Sequence, residues 1–302
     1  LPVSVYLVTP PFTQLNTPYP ATAYLKGFLN TKEISAYQSD LGIEVTTRIF
    51  SKQGLEQVFS SIEKKPVSFS ANAERIVSLK DHYLLTIDNV VSFLQGKNPT
   101  LAHRIAKRNF LPEASRFAQL ADLEWAFGSM GVQDQAKHIA TLYLEDLSDL
   151  IQETIDEHFG FSRYAEKLGR SANSFDDLHA SLNQPYTFTD NILLSILQER
   201  INELLPKLVA LSVPFPGNLY AALRCGQWIK KNHPEIKVAL GGGYANTELR
   251  SVTDTRVFEY IDFITLDDGE APVECLVEYI QGKRTAEKLK RTFLIRDGAL
   301  MY

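Results

Sequence analysis

Cysteine is scarce in this chain: Cys225 and Cys275 are the only two. Two thiols so far apart form neither a disulfide framework nor a metal-ligand motif. Each has apolar neighbours in a helical pattern, which predicts a buried helix position and points to a cytoplasmic protein with reduced thiols. An excess of basic residues is also missing, because 31 Lys and Arg face 36 Asp and Glu for a net charge of −5. That balance excludes the basic footprint of a nucleic-acid binder. No run approaches the roughly 18 uninterrupted apolar residues of a membrane span, so no membrane partner is expected. G-x-G-x-x-G is absent after the first strand, and G-x-x-x-x-G-K-[ST] is absent throughout, which disfavours a dinucleotide enzyme and a nucleotide hydrolase. The six histidines contain no H-x-x-x-H or H-E-x-x-H, and no G-x-S-x-G nucleophile elbow occurs. The chain displays no catalytic machinery of its own.

What the chain does have is apolar substance. Its 302 residues are 44% hydrophobic and 11% aromatic, enough for one large or two modest domains and too much for a disordered chain. Residues 3–9 are β-branched and aromatic and then meet Pro10-Pro11, which predicts a buried strand. Residues 21–29 carry a helical period, 34–38 read as a second strand, and the pattern turns helical from Gly42 towards Ile62. Between residues 52 and 206 there is almost no strand signal; 84–94, 112–127, 133–158 and 195–205 read as amphipathic helices, predicting an all-helical insertion. Strands return at 207–213, 236–240 and 260–266, with helices at 218–231, 247–252 and 271–281. The expected fold is therefore α/β, a Rossmann-like doubly wound parallel sheet of about five strands. It comprises residues 1–51 and 207–284, interrupted by the helical subdomain 52–206. Asp297-Gly298 between apolar stretches marks a hairpin in 285–302, the expected start of a link to a further C-terminal region.

Ligands of such a sheet bind at the carboxyl ends of its strands. Gly241-Gly242-Gly243 lets backbone approach a bulky group, and the amides after it are candidates for an anion. Asp267-Asp268-Gly269-Glu270 gathers three carboxylates, read more readily as a solvated loop with an acidic helix start than as a metal site.

Taken together, four of these segments resemble the N-terminal cobalamin (vitamin B12)-binding domain of B12-dependent radical S-adenosylmethionine proteins. They are Thr9-Pro10-Pro11 with the following Pro18-Tyr19-Pro20-Ala21, the Pro-interrupted strand end at 212–216, Gly241-Gly242-Gly243-Tyr244, and 262–272 with its Gly269-Glu270 turn. The resemblance covers about residues 1–50 and 207–282. It implies that cobalamin is the cofactor, with Thr9, Pro10 and Pro11 under or beside the corrin disc and Ser212 and Gly217 flanking it. Gly241, Gly242, Gly243 and Tyr244 would line the nucleotide tail, and Glu270 would cap a helix or touch a polar edge. The D-x-H-x-x-G motif of methionine-synthase-like domains is missing, since Asp40-Leu41-Gly42 brings no histidine. The C-x-x-x-C-x-x-C that holds a [4Fe–4S] cluster is absent too. The implied partner is thus a radical S-adenosylmethionine barrel in cis beyond residue 302, carrying the cluster and the S-adenosylmethionine. Two other readings stand beside this one: a degenerate domain that serves as support or docking surface, and an enzyme for a nucleotide or sugar nucleotide.

Overall fold

The computed structural model describes residues 4–302 except 14, 16, 17, 65–67, 123–130, 162–174 and 252. The parallel strands are β1 (Val5–Thr9), β2 (Ala36–Asp40), β3 (Leu208–Ser212), β4 (Lys237–Gly241) and β5 (Phe263–Thr265). The hairpin β6 (Thr292–Arg296) and β7 (Ala299–Met301) completes a seven-stranded sheet in the order β2-β1-β3-β4-β5-β6-β7. The expected five-strand parallel sheet is there, and the hairpin extends it: β6 runs antiparallel to β5, with Ile264 opposite Phe293. Its turn is made by Asp297 at φ 50° and Gly298 at φ 77°, two consecutive left-handed residues as a two-residue hairpin requires. Val3, where the first strand was expected to begin, lies outside the described residues.

The chain divides into two compact units, Leu1–Val45 with Phe161–Tyr302, and Thr46–Gly160. In the first, strand alternation sends Val5, Leu7, Leu208, Ala210, Ala239 and Phe263 to one face of the sheet. Helices α1 (Ala21–Thr31) and α12 (Glu270–Ile280) cover that face with Leu29, Val273, Leu276 and Val277. Tyr6 points to the other face and neighbours Cys225 of α10 (Leu219–Asn232). Covered on both sides, the central strands are continuously apolar, and each fully buried Val or Leu contributes about 1.5–3 kcal/mol. Both cysteines are buried, and burial pushes the Cys225 thiol up, away from reactivity.

Part of the long helical stretch belongs to this sheet unit. Helices α8 (Asp176–Leu182) and α9 (Phe188–Leu204) are tied to α10 by a buried ionic knot. The Arg224 guanidinium meets Asp190 at 3.0 Å, with side chains 1% and 0% exposed. Its other nitrogens donate to the carbonyls of Leu182 at 2.7 Å and Ser181 at 3.1 Å, closing the end of α8. Asp190 also completes a capping box with Thr187 at the start of α9, and Tyr220 donates to it at 3.0 Å.

The second unit is helical. It contains the end of α2 (Leu41–Ile49), α3 (Lys52–Glu63), α4 (Ala71–Ser78), α5 (Lys80–Leu94), α6 (Ala102–Ala106) and α7 (Val132–Thr154). The helix expected from Gly42 to Ile62 is broken at Phe50-Ser51, because the Ser51 hydroxyl caps α3 by accepting from the Gly54 amide. The helix expected over 112–127 is a 3₁₀ turn at Ser115–Asp122, and 123–127 lie outside the described residues. On α7, Tyr143 stacks on Tyr83 of α5 at 5.0 Å. One turn further, Asp146 is fully buried and accepts the Arg116 amide at 3.0 Å.

Burial pushes the Asp146 carboxyl up to about 6 from 3.8, against backbone donors that pull it down. A carboxyl raised on folding favours the folded state below its unfolded value, and that contribution is lost as pH rises through about 6. Thermal melts of wild type and Asp146→Asn at pH 4 and pH 7 should therefore diverge. The wild type is expected to lose about 2 kcal/mol over this interval relative to the variant. A difference that is the same at both pH values would remove Asp146 as the cause.

No helix among the described residues is long and apolar enough to cross a membrane.

Candidate functional site

The order of the parallel strands reverses between β1 and β3: from β1 the chain moves to β2 on one side, then returns to β3 on the other. At such a switch point the loops leaving the two strands diverge and leave a crevice at the carboxyl edge. A cavity of about 350 Å³ opens at the carboxyl ends of β3, β4 and β5, between the sheet and the helices α1 and α12. Its floor is built from residues that share one face by strand parity and register: Leu7, Ala210, Ser212, Ala239, Gly241 and Thr265. Apart from Leu7 these side chains are small, and that is why the helices leave space above them. Thr22 and Leu25 of α1 and Val273 of α12 form the roof.

Polar groups are unevenly distributed in this cavity. The Ser212 side chain is on the floor, its residue is 6% exposed, and its hydroxyl has no hydrogen-bond partner. Leaving such a group unpaired costs about 1–3 kcal/mol, which a ligand atom bonded to it would recover. At the rim, Asp267 takes a left-handed backbone (φ 60°), held by Asn246, whose carboxamide accepts from the Asp267 amide and donates to its carbonyl. Arg250 and Arg291 pair with the Asp267 carboxylate. Asp268 and Glu270 complete the rim. Tyr19 also lines the mouth and packs edge-on against Phe215 with ring centres 5.9 Å apart; Phe215 is 53% exposed.

Of the residues singled out from the sequence, Ser212, Gly241, Gly242, Gly243 and Glu270 line this cavity. Thr9, Pro10, Pro11, Gly217 and Tyr244 do not line it and are all buried. Thr9 continues the Val8–Leu211 register to the position beside Ser212, and its hydroxyl is likewise unpartnered. The Pro10 carbonyl is held by the Asn218 carboxamide at 2.7 Å, and Gly217 lies in the 3₁₀ turn Pro216–Asn218. Burial pushes the Tyr244 phenol up to about 12.

The glycine loop has a structural cause of its own. Gly242 has φ 105°, and a Cβ there would lie 2.8 Å from the Val213 carbonyl oxygen; one on Gly243 would lie 2.8 Å from that of Pro214. The loop is thus pressed against the end of β3, and the Tyr244 amide is used on the Val213 carbonyl at 3.0 Å. A side chain at Gly242 would strain the fold, so substitution there reports folding rather than binding. Helix α11 begins at once, spanning Gly243–Thr247, instead of the expected 247–252, of which Val252 lies outside the described residues.

Sequence reasoning gave no site role to Tyr19, Thr22, Ala210, Ala239, Asn246 or Thr265, although Tyr19 and Thr265 fall in the segments quoted for the resemblance. The signal for the floor was there: counting back in steps of two from the glycine of β4 and the serine of β3 selects small residues. Among the described residues no group of three or more His, Cys, Asp or Glu is placed to hold a metal ion. No protein-family model, curated protein or solved structure matches this chain.

Proposed function

We propose that this chain is a cobalamin-binding module, with its cavity receiving the benzimidazole-ribose tail. The observation that carries the reading is the small-residue floor on β3, β4 and β5, with the unpartnered Ser212 hydroxyl in it. A flat ring slides over alanine and glycine where larger side chains would stop it, and the hydroxyl offers one directional contact. Leu7, Ala210 and Ala239 would exclude water from the ring. Cobalamin supplies organometallic cobalt chemistry when bound; the residues of this chain bind and orient it. In this reading the [4Fe–4S] cluster and S-adenosylmethionine belong to a separate radical barrel of the same protein.

One observation favours a second reading, a domain that no longer binds cobalamin and acts as support or docking surface. Thr9, Pro10 and Pro11, which the resemblance puts beneath the corrin disc, are buried. A disc would have to rest further out, beside the exposed Phe215.

Titration with hydroxocobalamin and with cobinamide, the corrin without its ring tail, separates the two. Cobalamin is expected to be retained through gel filtration with a perturbed visible spectrum. Cobinamide is expected to bind at least about tenfold more weakly, a loss of about 1.4 kcal/mol. Retention of neither corrinoid would leave the second reading.

A further inference from the structure

We propose that the open starts of α1 and α12 seat a singly charged phosphate ester, the phosphodiester of the ring's nucleotide tail. This deepens the cobalamin reading and rests on it, since it takes the ring to lie further in, over Leu7, Ala210 and Ala239.

The first amides of a helix have no partner inside it, and a side chain, water or a ligand must take them. Helices α1 and α12 each have eleven residues, and both begin without a side-chain cap, at Pro20 and at Gly269. Ala21 and Thr22 line the cavity from the first helix, Gly269 and Glu270 from the start of the second. The amides of these four residues have no acceptor among the described residues. The two starts are neighbours, because a Cβ on Gly269 would lie 3.1 Å from Leu25 Cδ2 of α1. Ser212 is the independent sign that a polar ligand atom belongs here. It faces the cavity, is 6% exposed, and its hydroxyl is unpartnered. It ends β3, one pleat nearer the carboxyl edge than Ala210, and in a parallel sheet the following helices start at that same edge.

Open amides at a helix start suit a phosphate oxygen, and the charge of this seat is small. Each helix start carries roughly half a positive charge, so two of them match one negative charge. No Lys, Arg or His among the described residues lines the cavity, while Asp268 and Glu270 stand at its rim. A second negative charge thus finds no cation, and a diester fits where a doubly charged monoester gains nothing. The amides after the glycines, expected from the sequence to receive an anion, are not the ones that do so here. Their helix α11 has only five residues, and the Tyr244 amide is used on Val213.

The test is calorimetric titration at low ionic strength with benzimidazole riboside, its 3′-(methyl phosphate) diester and inorganic phosphate. The diester is expected to bind at least about tenfold more tightly than the riboside, with the gap narrowing as salt is added. Inorganic phosphate should bind at least about 100-fold more weakly than the diester, since it brings no ring to the floor. Pro20 is exposed, and Pro20→Asp puts a carboxylate on the α1 amides. This variant should melt within about 3 °C of the wild type and hold the diester no more than about threefold more tightly than the riboside. Should it fail to fold, Ser212→Ala serves instead, weakening the diester about tenfold and the riboside less than about threefold. Equal binding of riboside and diester, no binding of either, a gap that survives in the folded variants, or inorganic phosphate binding as tightly as the diester overturns the seat. If hydroxocobalamin is retained in that case, the phosphate assignment falls alone; if it is not, the cobalamin reading falls too.

Discussion

Replacing Arg224 by methionine is expected to cost about 3–5 kcal/mol of stability, the usual penalty for stranding one charge of a buried pair. Methionine matches much of the arginine stem, so the loss falls on the charge and its hydrogen bonds. Asp190 would keep the Tyr220 hydroxyl and the Thr187 amide as donors but lose the guanidinium 3.0 Å away. The carbonyls of Ser181 and Leu182 would lose the guanidinium that closes the end of α8. For a unit of this size the melting temperature should fall by on the order of 10 °C. Arg224→Lys should recover little, because a single ammonium cannot serve Asp190, Tyr220 and two carbonyls from one planar fork. Adding Asp190→Asn to the methionine variant should restore part of the loss by removing the stranded charge. A loss below about 1 kcal/mol on chemical denaturation would show that the pair is not what joins these helices.

Ala239→Leu is the substitution with the largest expected effect on binding. Ala239 lies in the middle of the cavity floor, paired in register with Ala210, and is 2% exposed in a place where the helices leave open volume. Three added carbons occupy space that a ring would need, while burying more apolar surface. Retention of hydroxocobalamin should fall at least about 100-fold, or about 2.7 kcal/mol. Melting should stay the same or rise slightly, since filling a void stabilises where overpacking does not. Unchanged affinity in a folded variant would place the tail elsewhere. This variant is a cleaner probe than any at the glycine loop, where the backbone conformation itself is at stake.

The strands were legible because the central ones are covered on both faces and read as continuous apolar runs ended by proline or glycine. Val5–Thr9 and Leu208–Ser212 are of this kind. The place of the hairpin was not legible. Asp297-Gly298 reveals a turn, but nothing local reveals that Phe293 pairs with Ile264. Nor did the helical stretch show where it divides. The grouping of α8 and α9 with the sheet depends on Arg224 and Asp190, 34 positions apart and each unremarkable alone. The site was half legible for a similar reason. Glycines and a serine at strand ends mark the carboxyl edge, whereas the rim depends on Arg250, Arg291 and Asn246 reaching Asp267. Thr9 to Pro11 show the opposite case, a motif easily read whose burial only packing decides.

The strand order has a consequence for biosynthesis. β1 pairs with β3 through Val5 and Leu208, partners about 200 residues apart, although β2 follows it after a single helix. At a translation rate of about 5–20 residues per second, the β1–β2 pair waits roughly 10–40 s for its central neighbour to be synthesised. During that time one full edge of β1, apolar on both faces, has no strand beside it, and such an edge recruits other chains. Nascent-chain association should thus be governed by how fast the ribosome traverses the helical segment. The cavity over β3, β4 and β5 comes into existence only after that wait, once Val273 of α12 has been made.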